Sequence, residues 1–142
     1  MPQIDFYILS SQSEKSRQLF ACRITEKAYK MERSITIQAE SNKDICDVDK
    51  LLWGFRDDSF VPHHIFTGEN DDAIKSISVP NNKKQVNIDD ILVNLSNSLT
   101  ENHIEYQRII EIVINNSKDK ENARKRFVAY RKLGYEIKSH TI

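Results

Sequence analysis

The residues of this sequence that could hold a metal ion or transfer a proton are few and scattered. His63 and His64 are adjacent, and Asp57 and Asp58 lie just upstream, so this segment could form a hydrolytic or metal cluster. A metal site, however, needs ligands at fixed short offsets, such as i and i+4 on a helix, and the four histidines show no such spacing. A solvated loop edge explains the segment better, so we expect no metal ion and no catalytic residue.

The sequence lacks the glycines that a phosphate-binding loop requires. The sequence has three glycines, at Gly54, Gly68 and Gly134, and none lies in residues 10–13, which follow the first apolar run. A dinucleotide fingerprint or a P-loop needs glycines there so that the backbone can approach the phosphates. We therefore expect no cofactor and no enzymatic activity from the chain by itself. A small nucleotide-binding domain or enzyme of similar fold is the alternative.

Charge is distributed unevenly along a chain whose net charge is zero. Residues 118–138 contain eight cations and three anions, an excess of five positive charges, so the first 117 residues carry a net charge of −5. A neutral protein with one basic end suits local binding of an acidic partner. Direct binding of nucleic acid through residues 118–138 is the alternative, although general nucleic-acid binders are usually basic throughout.

Two segments combine residue types that are typical of protein interfaces. Trp53 precedes a loop in which Phe60, Val61 and Pro62 place apolar side chains in an irregular segment, and exposed aromatic patches usually mark interfaces. The alternative is that these side chains fold back onto the core.

Near the C-terminus, Arg124, Val128 and Arg131 follow one another at +4 and +3 on one side of a predicted helix. Arginines beside a small apolar position suit an acidic peptide with a hydrophobic end. A solvated basic face is the alternative interpretation.

The elements that position these residues alternate between strand and helix. Apolar runs and alternation predict strands, and +3/+4 spacing predicts helices. The predicted strands are residues 4–9, 34–39, 74–79, 91–95, 108–114 and 135–138. This order favours an α/β fold with a mostly parallel, Rossmann-like sheet flanked by helices, without a nucleotide-binding glycine motif and in a single domain, residues 1–142.

Three helices are predicted from their caps and apolar stripes. Ser11 with Glu14 has capping-box spacing, Ser41 caps the second helix, and Gly134 ends a third helix over residues 117–133. The predicted inward stripes are Phe20, Ile24, Ala28 and Met31, then Ile45, Val48 and Leu52, and then Ala123, Phe127, Tyr130 and Leu133.

Targeting and redox signals favour the cytoplasm. The N-terminus has no cationic segment followed by an apolar one, and no run approaches the roughly 20 apolar residues of a spanning helix. Cys22 and Cys46 lack metal-ligand spacing and are expected to be reduced thiols.

Five segments together resemble the chi subunit of bacterial DNA polymerase III. They are residues 5–9 (DFYIL), 20–29 (FACRITEKAY), 51–63 (LLWGFRDDSFVPH), 91–96 (ILVNLS) and 123–135 (ARKRFVAYRKLGY). The resemblance covers nearly the whole chain in order, and residues 51–63 are its most specific part.

The resemblance implies a fold without nucleotide binding or catalysis and a role as a bridge between two partners. One is the psi subunit, which ties chi to the clamp loader, and a DNA-repair helicase is an alternative partner for the same surface. The other is the acidic C-terminal tail of single-stranded DNA-binding protein, which ends in Pro-Phe, so that DNA is reached only through that protein. Carried over by position, the psi surface falls on Trp53, Phe60, Val61, Pro62 and His63, and the tail surface on Arg124, Phe127, Val128 and Arg131.

Two positions of the tail surface depart from the family pattern. Val128 stands where well-known members carry a lysine, and Phe127 stands where they carry a tyrosine. Losing one charge-assisted contact weakens binding by about 1.5–3 kcal/mol unless Lys125 or Lys132 compensates.

Overall fold

The structure is a computed structural model that describes residues 2–54, 61–66, 76–79, 91–97, 99 and 106–142. Among these residues there are three helices and seven strands, and four of the strands follow one another between the second and third helices. The helices are α1 (Glu14–Lys30), α2 (Asn42–Gly54) and α3 (Ser117–Lys132). The strands are β1 (Gln3–Ile8), β2 (Ile35–Gln38), β3 (His64–Phe66), β4 (Ser76–Val79), β5 (Ile91–Asn94), β6 (Arg108–Val113) and β7 (Glu136–Thr141).

The described strands form one sheet in the order β3-β4-β2-β5-β6-β1-β7. The five strands from β2 to β7 in this order pair in parallel, whereas β4 pairs with β2, and β3 with β4, in antiparallel register. The predicted α/β fold with a mostly parallel sheet is therefore confirmed. The antiparallel strand β3 was not predicted, and of the strand predicted over residues 74–79 the described part is β4.

Helices cover both faces of the sheet. α1 and α2 pack on one face, here called the α1–α2 face, where the core contains Ile35, Ile37, Ile110 and Ile112. α3 packs on the opposite face, the α3 face, over Ile4, Phe6, Leu92 and Ile109. Successive strand residues point to opposite faces, so β6 buries apolar side chains on both, as predicted for an interior parallel strand.

The N-cap of helix α1 lies two residues later than predicted. Ser13 is the N-cap, because its hydroxyl oxygen accepts the backbone N–H of Ser16 at 3.1 Å. The side chain of Ser11 instead shares a hydrogen bond of 2.7 Å with the Ser16 hydroxyl. The capping-box prediction at Ser11 was wrong, because Ser13 is an equally suitable N-cap residue type and the helix uses it.

Of the apolar stripe predicted for α1, only Ala28 belongs to the buried face of the helix. Ala21 and Cys22 are fully buried, whereas Phe20 and Ile24 are only partly buried and Met31 is 64% exposed. The rest of the stripe therefore lies at the margin of the core rather than within it.

The second helix agrees with its prediction. Ile45, Val48 and Leu52 are buried, and the hydroxyl of Ser41 accepts the backbone N–H of Asp44 at 3.2 Å. Within the part of the chain that the structure describes, no helix combines the length and apolar character needed to cross a bilayer.

Helix α3 has the predicted length but a rotated buried face. Gly134 adopts the left-handed φ of 80° expected after a helix, and Ala123 and Tyr130 are buried as predicted. Leu133, predicted to be buried, is 47% exposed, and Arg126 is buried instead. The reason is a polar cluster beneath α3 that the apolar pattern does not show.

Candidate protein-binding surfaces

A cavity of about 320 Å³ lies between α3 and the carboxyl ends of β1 and β6; we call it the α3 cavity. Lys120 and Arg124, one helical turn apart on α3, line it together with apolar side chains. The described residues that line it include no carboxylate. They are Phe6, Ile8, Val113, Lys120, Ala123, Arg124, Phe127 and Ser139.

The floor of the α3 cavity is aromatic. The half-buried ring of Phe127 is tilted by 53° against the buried ring of Phe6, with 5.6 Å between the ring centroids. An apolar floor beneath two cations can hold a hydrophobic side chain whose carboxylate meets a guanidinium or ammonium group.

The structure brings together two of the four residues predicted for the tail surface. Arg124 and Phe127 line the α3 cavity, whereas Val128, which is 48% exposed, and Arg131 lie on α3 outside the lining. Arg131 follows Arg124 by seven residues, or about 10 Å along the helix axis, on nearly the same side. Lys120 was not singled out, although its i, i+4 spacing to Arg124 was visible in the sequence.

A buried polar cluster fixes the rotation of α3 above the sheet. Glu111 of β6, fully buried, accepts hydrogen bonds from Arg126 Nε at 3.1 Å, from Tyr130 Oη at 2.7 Å and from Asn94 Nδ2 at 3.0 Å. Burial raises the pKa of the Glu111 carboxyl, while Arg126 and the two other donors act in the opposite direction. Because Arg126 and Tyr130 point inward, Arg124 is exposed at the cavity and Phe127 reaches its floor.

A second ion pair anchors the beginning of α3. Arg17 of α1 donates from Nη2 to Asp119 Oδ1 at 2.8 Å, and both side chains are buried. Asp119 Oδ2 also accepts the backbone N–H of Ile114 at 2.9 Å, which ties the first turn of α3 to the end of β6. Lys120, the next residue, is thereby held at the cavity.

The second candidate surface lies at the end of α2. Trp53 is 49% exposed, and its ring centroid lies 4.4 Å from that of His63. His63 is in turn held by Asp49 Oδ1, 2.9 Å from Nε2, and by the carbonyl oxygen of Val61, 2.7 Å from Nδ1. Asp49 and Trp53 are one turn apart on α2, so the helix holds the imidazole through both.

The five residues predicted for this surface do not all lie on one exposed surface in the structure. Trp53 contacts His63, and the half-buried Pro62 is the chain neighbour of His63; we call these three residues the Trp53 patch. Val61 is only 1% exposed and belongs to the core, so it supports the patch from below. Phe60 lies outside the described residues.

Metal-ligating and nucleophilic groups are not clustered in the described part of the chain. Its His, Cys, Asp and Glu residues form no group of three or more that could hold a metal ion. Asp57 and Asp58 lie outside the described residues. Burial raises the pKa of the Cys22 thiol to about 12, whereas Cys46 is exposed.

Comparison with known proteins gives a consistent result. A family model described as "DNA polymerase III chi subunit, HolC" matches residues 1–138. A protein of Pseudomonas aeruginosa named DNA polymerase III subunit chi is 27% identical over 142 residues, covering 100% of this chain and 98% of the relative. Proteins of the same name from Escherichia coli and Haemophilus influenzae are 25% and 24% identical, covering 99% and 96% of this chain and 99% and 95% of the relatives.

Proposed function

This chain belongs to the DNA polymerase III chi subunit family, and from that premise we propose that it is a non-catalytic adaptor of the replication machinery. One of its surfaces binds the psi subunit, which connects it to the clamp loader. The other binds the acidic C-terminal tail of single-stranded DNA-binding protein. The adaptor works in the cytoplasm without a cofactor, and DNA synthesis is catalysed by another subunit of the holoenzyme.

The observation that supports tail binding most is the composition of the α3 cavity. A tail ending in Pro-Phe offers an aromatic ring and a terminal carboxylate on the same residue. Cavities of about 150 Å³ accommodate benzene, so a cavity of about 320 Å³ has room for the phenyl ring beside Phe127. Arg124 and Lys120 are then placed to receive the carboxylate and the acidic residues before it.

The position of Lys120 strengthens this proposal. Lys120 lies in the first turn of α3, where the partial positive charge of the helix N-terminus adds to that of the ammonium group. The lysine that other family members carry at the Val128 position is therefore not needed for two positive charges to meet the tail.

For the psi subunit we propose the Trp53 patch, together with Phe60. The exposed ring of Trp53 rests on a histidine that Asp49 and the Val61 carbonyl already hold. A preorganised aromatic side chain loses little conformational entropy on binding, which favours its use as an interface anchor. A DNA-repair helicase is the alternative partner for this patch.

Titration calorimetry with two short peptides tests the tail site. Both contain several aspartates followed by Pro-Phe, but one has a free C-terminal carboxylate and the other a C-terminal amide. We expect the peptide with the free carboxylate to bind more tightly than the amide. Arg124→Ala should weaken binding of the free-acid peptide by about 1.5–3 kcal/mol, or roughly ten- to hundredfold.

Lys125→Ala is the matched control, because Lys125 is an exposed cation on the same helix outside the cavity lining. It should bind the peptide nearly as the wild type does. If Arg124→Ala bound the free acid with wild-type affinity, the tail site would lie elsewhere.

Titrations with a mononucleotide and with single-stranded DNA examine the competing functions. The adaptor proposal predicts no measurable mononucleotide binding. Direct DNA binding through residues 118–138 would show itself as an affinity that falls steeply with salt.

A further inference from the structure

A larger cavity, of about 600 Å³, lies on the α1–α2 face of the sheet; we call it the α1 cavity. It is bounded by the C-terminal half of α1 and the amino ends of β1, β5 and β6. Neither proposed interface uses it, because α3 packs on the opposite face and none of the Trp53 patch residues belongs to its lining.

The apolar part of this cavity explains the misplaced stripe of α1. Phe20, Ile24 and Met31 were predicted to face the core, and all three line the α1 cavity, where Phe20 and Ile24 also pack against the edge of the core. Ile91 and Ile110 of the sheet close the other side. The helix therefore presents a second apolar side, beyond the one that Ala21 and Cys22 bury, to an open concave surface.

The charged residues that line this cavity in the described part of the chain are all cations. The described residues of its lining include four cations and no carboxylate, and the cations are Arg23, Lys27, Arg33 and Arg108. Arg23 and Lys27 are exposed and one turn apart on α1, so both can bend toward a ligand.

Arg108 is fixed in the wall of the α1 cavity. Its Nε donates to Asp5 Oδ2 at 2.7 Å and its Nη2 donates to the Tyr7 hydroxyl at 3.2 Å, while the side chain stays 40% exposed. Asp5 is only 1% exposed and also accepts from His140 Nε2 at 3.0 Å. The guanidinium is thus positioned from behind by a buried carboxylate.

The aromatic rings nearby distinguish between two classes of acidic ligand. Single-stranded nucleic acid binds by stacking its bases on aromatic faces. The ring of Tyr7 is already stacked on His140, with centroids 4.7 Å apart, and packs against Phe20 at 5.3 Å. The walls left for a ligand are largely aliphatic, which suits a protein side chain better than a nucleobase.

We propose that the α1 cavity docks an acidic segment of a partner protein. One aliphatic or aromatic side chain of the segment enters between Ile24 and Ile110, and flanking carboxylates pair with Arg23, Lys27 and Arg108. Unlike the α3 cavity, this site needs no free C-terminus, because four lining cations can pair with side-chain carboxylates on either side of the apolar residue. The chain then carries two acidic-peptide sites, one on each face of the sheet, and this proposal does not depend on the proposed function.

Fluorescence anisotropy with a labelled peptide tests this site. The probe carries a single leucine between two runs of aspartate and has both termini blocked, so that it offers no terminal carboxylate. The double variant Arg23→Glu/Lys27→Glu should weaken binding by at least tenfold. The control Lys15→Glu/Lys30→Glu makes the same charge change on the same helix at exposed lysines outside the lining, and should change binding by less than threefold.

Three further measurements distinguish the site from its alternatives. Arg124→Glu should leave probe affinity within threefold of the wild type, because the α3 cavity is separate. Replacing the leucine of the probe by serine should weaken binding to wild-type protein at least fivefold. A single-stranded oligothymidine should show no dependence on Arg23 and Lys27 beyond that on Lys15 and Lys30.

Equal losses in the test and control variants would reduce the site to diffuse attraction and overturn the proposal. The proposal would also be overturned if replacing the leucine of the probe by serine left binding unchanged, or if oligothymidine binding depended on Arg23 and Lys27. The leucine-to-serine comparison uses unmodified protein, so it decides the question even if a charge reversal disturbs the fold.

Discussion

The two faces of the sheet are built from different interactions. On the α1–α2 face the buried side chains between sheet and helices are mainly aliphatic, such as Ile37, Val48 and Ile112. Asp5, a buried carboxylate near this face, accepts hydrogen bonds from other strands of the sheet, so it does not orient a helix. On the α3 face the core includes a buried carboxylate, Glu111, whose two oxygens accept three hydrogen bonds. Aliphatic packing is non-directional, whereas these hydrogen bonds allow only one rotation of α3.

This difference bears on the two proposed interfaces. A buried ion pair adds little net stability compared with apolar residues of similar volume, so we infer that the Glu111–Arg126 pair is retained for position. It turns Arg124 and Phe127 toward the α3 cavity. The Trp53 patch instead depends on the packed face of α2 and on one histidine held at its surface.

Arg126→Ala tests the directional face and should have the largest effect. It leaves the Glu111 charge buried without its cation, which should lower the free energy of unfolding by about 3–5 kcal/mol. Urea denaturation measures the loss. Adding Glu111→Gln should recover part of it because the unpaired charge is removed, and a double variant no more stable than Arg126→Ala would contradict this explanation.

Trp53→Ala tests the packed face. We expect it to weaken assembly with the psi subunit, or with the helicase in its place, by about 2 kcal/mol or more, because the indole is the exposed anchor of the Trp53 patch. Phe60→Ala carries the same expectation. Trp53→Phe is the matched control, since it keeps an aromatic ring above His63, and calorimetric titration against the purified partner should show a smaller loss.

Arg131→Ala sharpens the boundary of the tail site. From the sequence alone, Arg131 and Arg124 are equivalent, but only Arg124 lines the α3 cavity. An exposed ion pair contributes about 0.2–1 kcal/mol, so Arg131→Ala should weaken binding of the tail peptide by that amount, and by less at high salt. A loss as large as that of Arg124→Ala would show that the tail extends along α3.

The smallest expected effect is a pH dependence at Asp5. Burial acts to raise the pKa of this carboxyl, but hydrogen bonds from His140 and Arg108 outweigh it and hold the pKa below its ordinary value of 3.8. A carboxyl whose pKa is lower in the folded state than in the unfolded state stabilises the fold at any pH above its unfolded-state pKa. This stabilisation is lost as the pH falls through the folded-state pKa. The stability difference between wild type and Asp5→Asn should therefore shrink below about pH 4, as acid unfolding curves would show. A difference that stayed constant there would contradict the assignment.

The fold was largely predictable, since its strands and α2 follow local patterns that agree with their tertiary places. The exceptions arise from contacts distant in sequence. Strand β3 has only three residues and exists by pairing with β4. The stripe predicted for α3 was wrong in part, because Arg126 is buried and Leu133 is exposed. The available signal was Glu111, a carboxylate inside an apolar strand that needs a buried cation.

The candidate sites were predictable to different degrees. Arg124, Phe127 and Trp53 are predicted as site residues from residue type and family resemblance, and the structure places the first two at the α3 cavity and leaves Trp53 exposed. Lys120 was missed because its place at the α3 cavity depends on how the first turn of α3 is tied to β6. The burial of Val61 could not be predicted, because an apolar residue in a loop can face either the core or the solvent.

The central claim is that two independent surfaces bind two partners, and a three-component binding measurement tests it most directly. Wild-type protein should bind the psi subunit (or the helicase) and the tail peptide at the same time. Trp53→Ala should lose only the first partner and Arg124→Ala only the second, with circular dichroism unchanged in both. If either variant lost both partners while its fold stayed intact, or if the two partners displaced each other from wild-type protein, the two-surface account would be wrong.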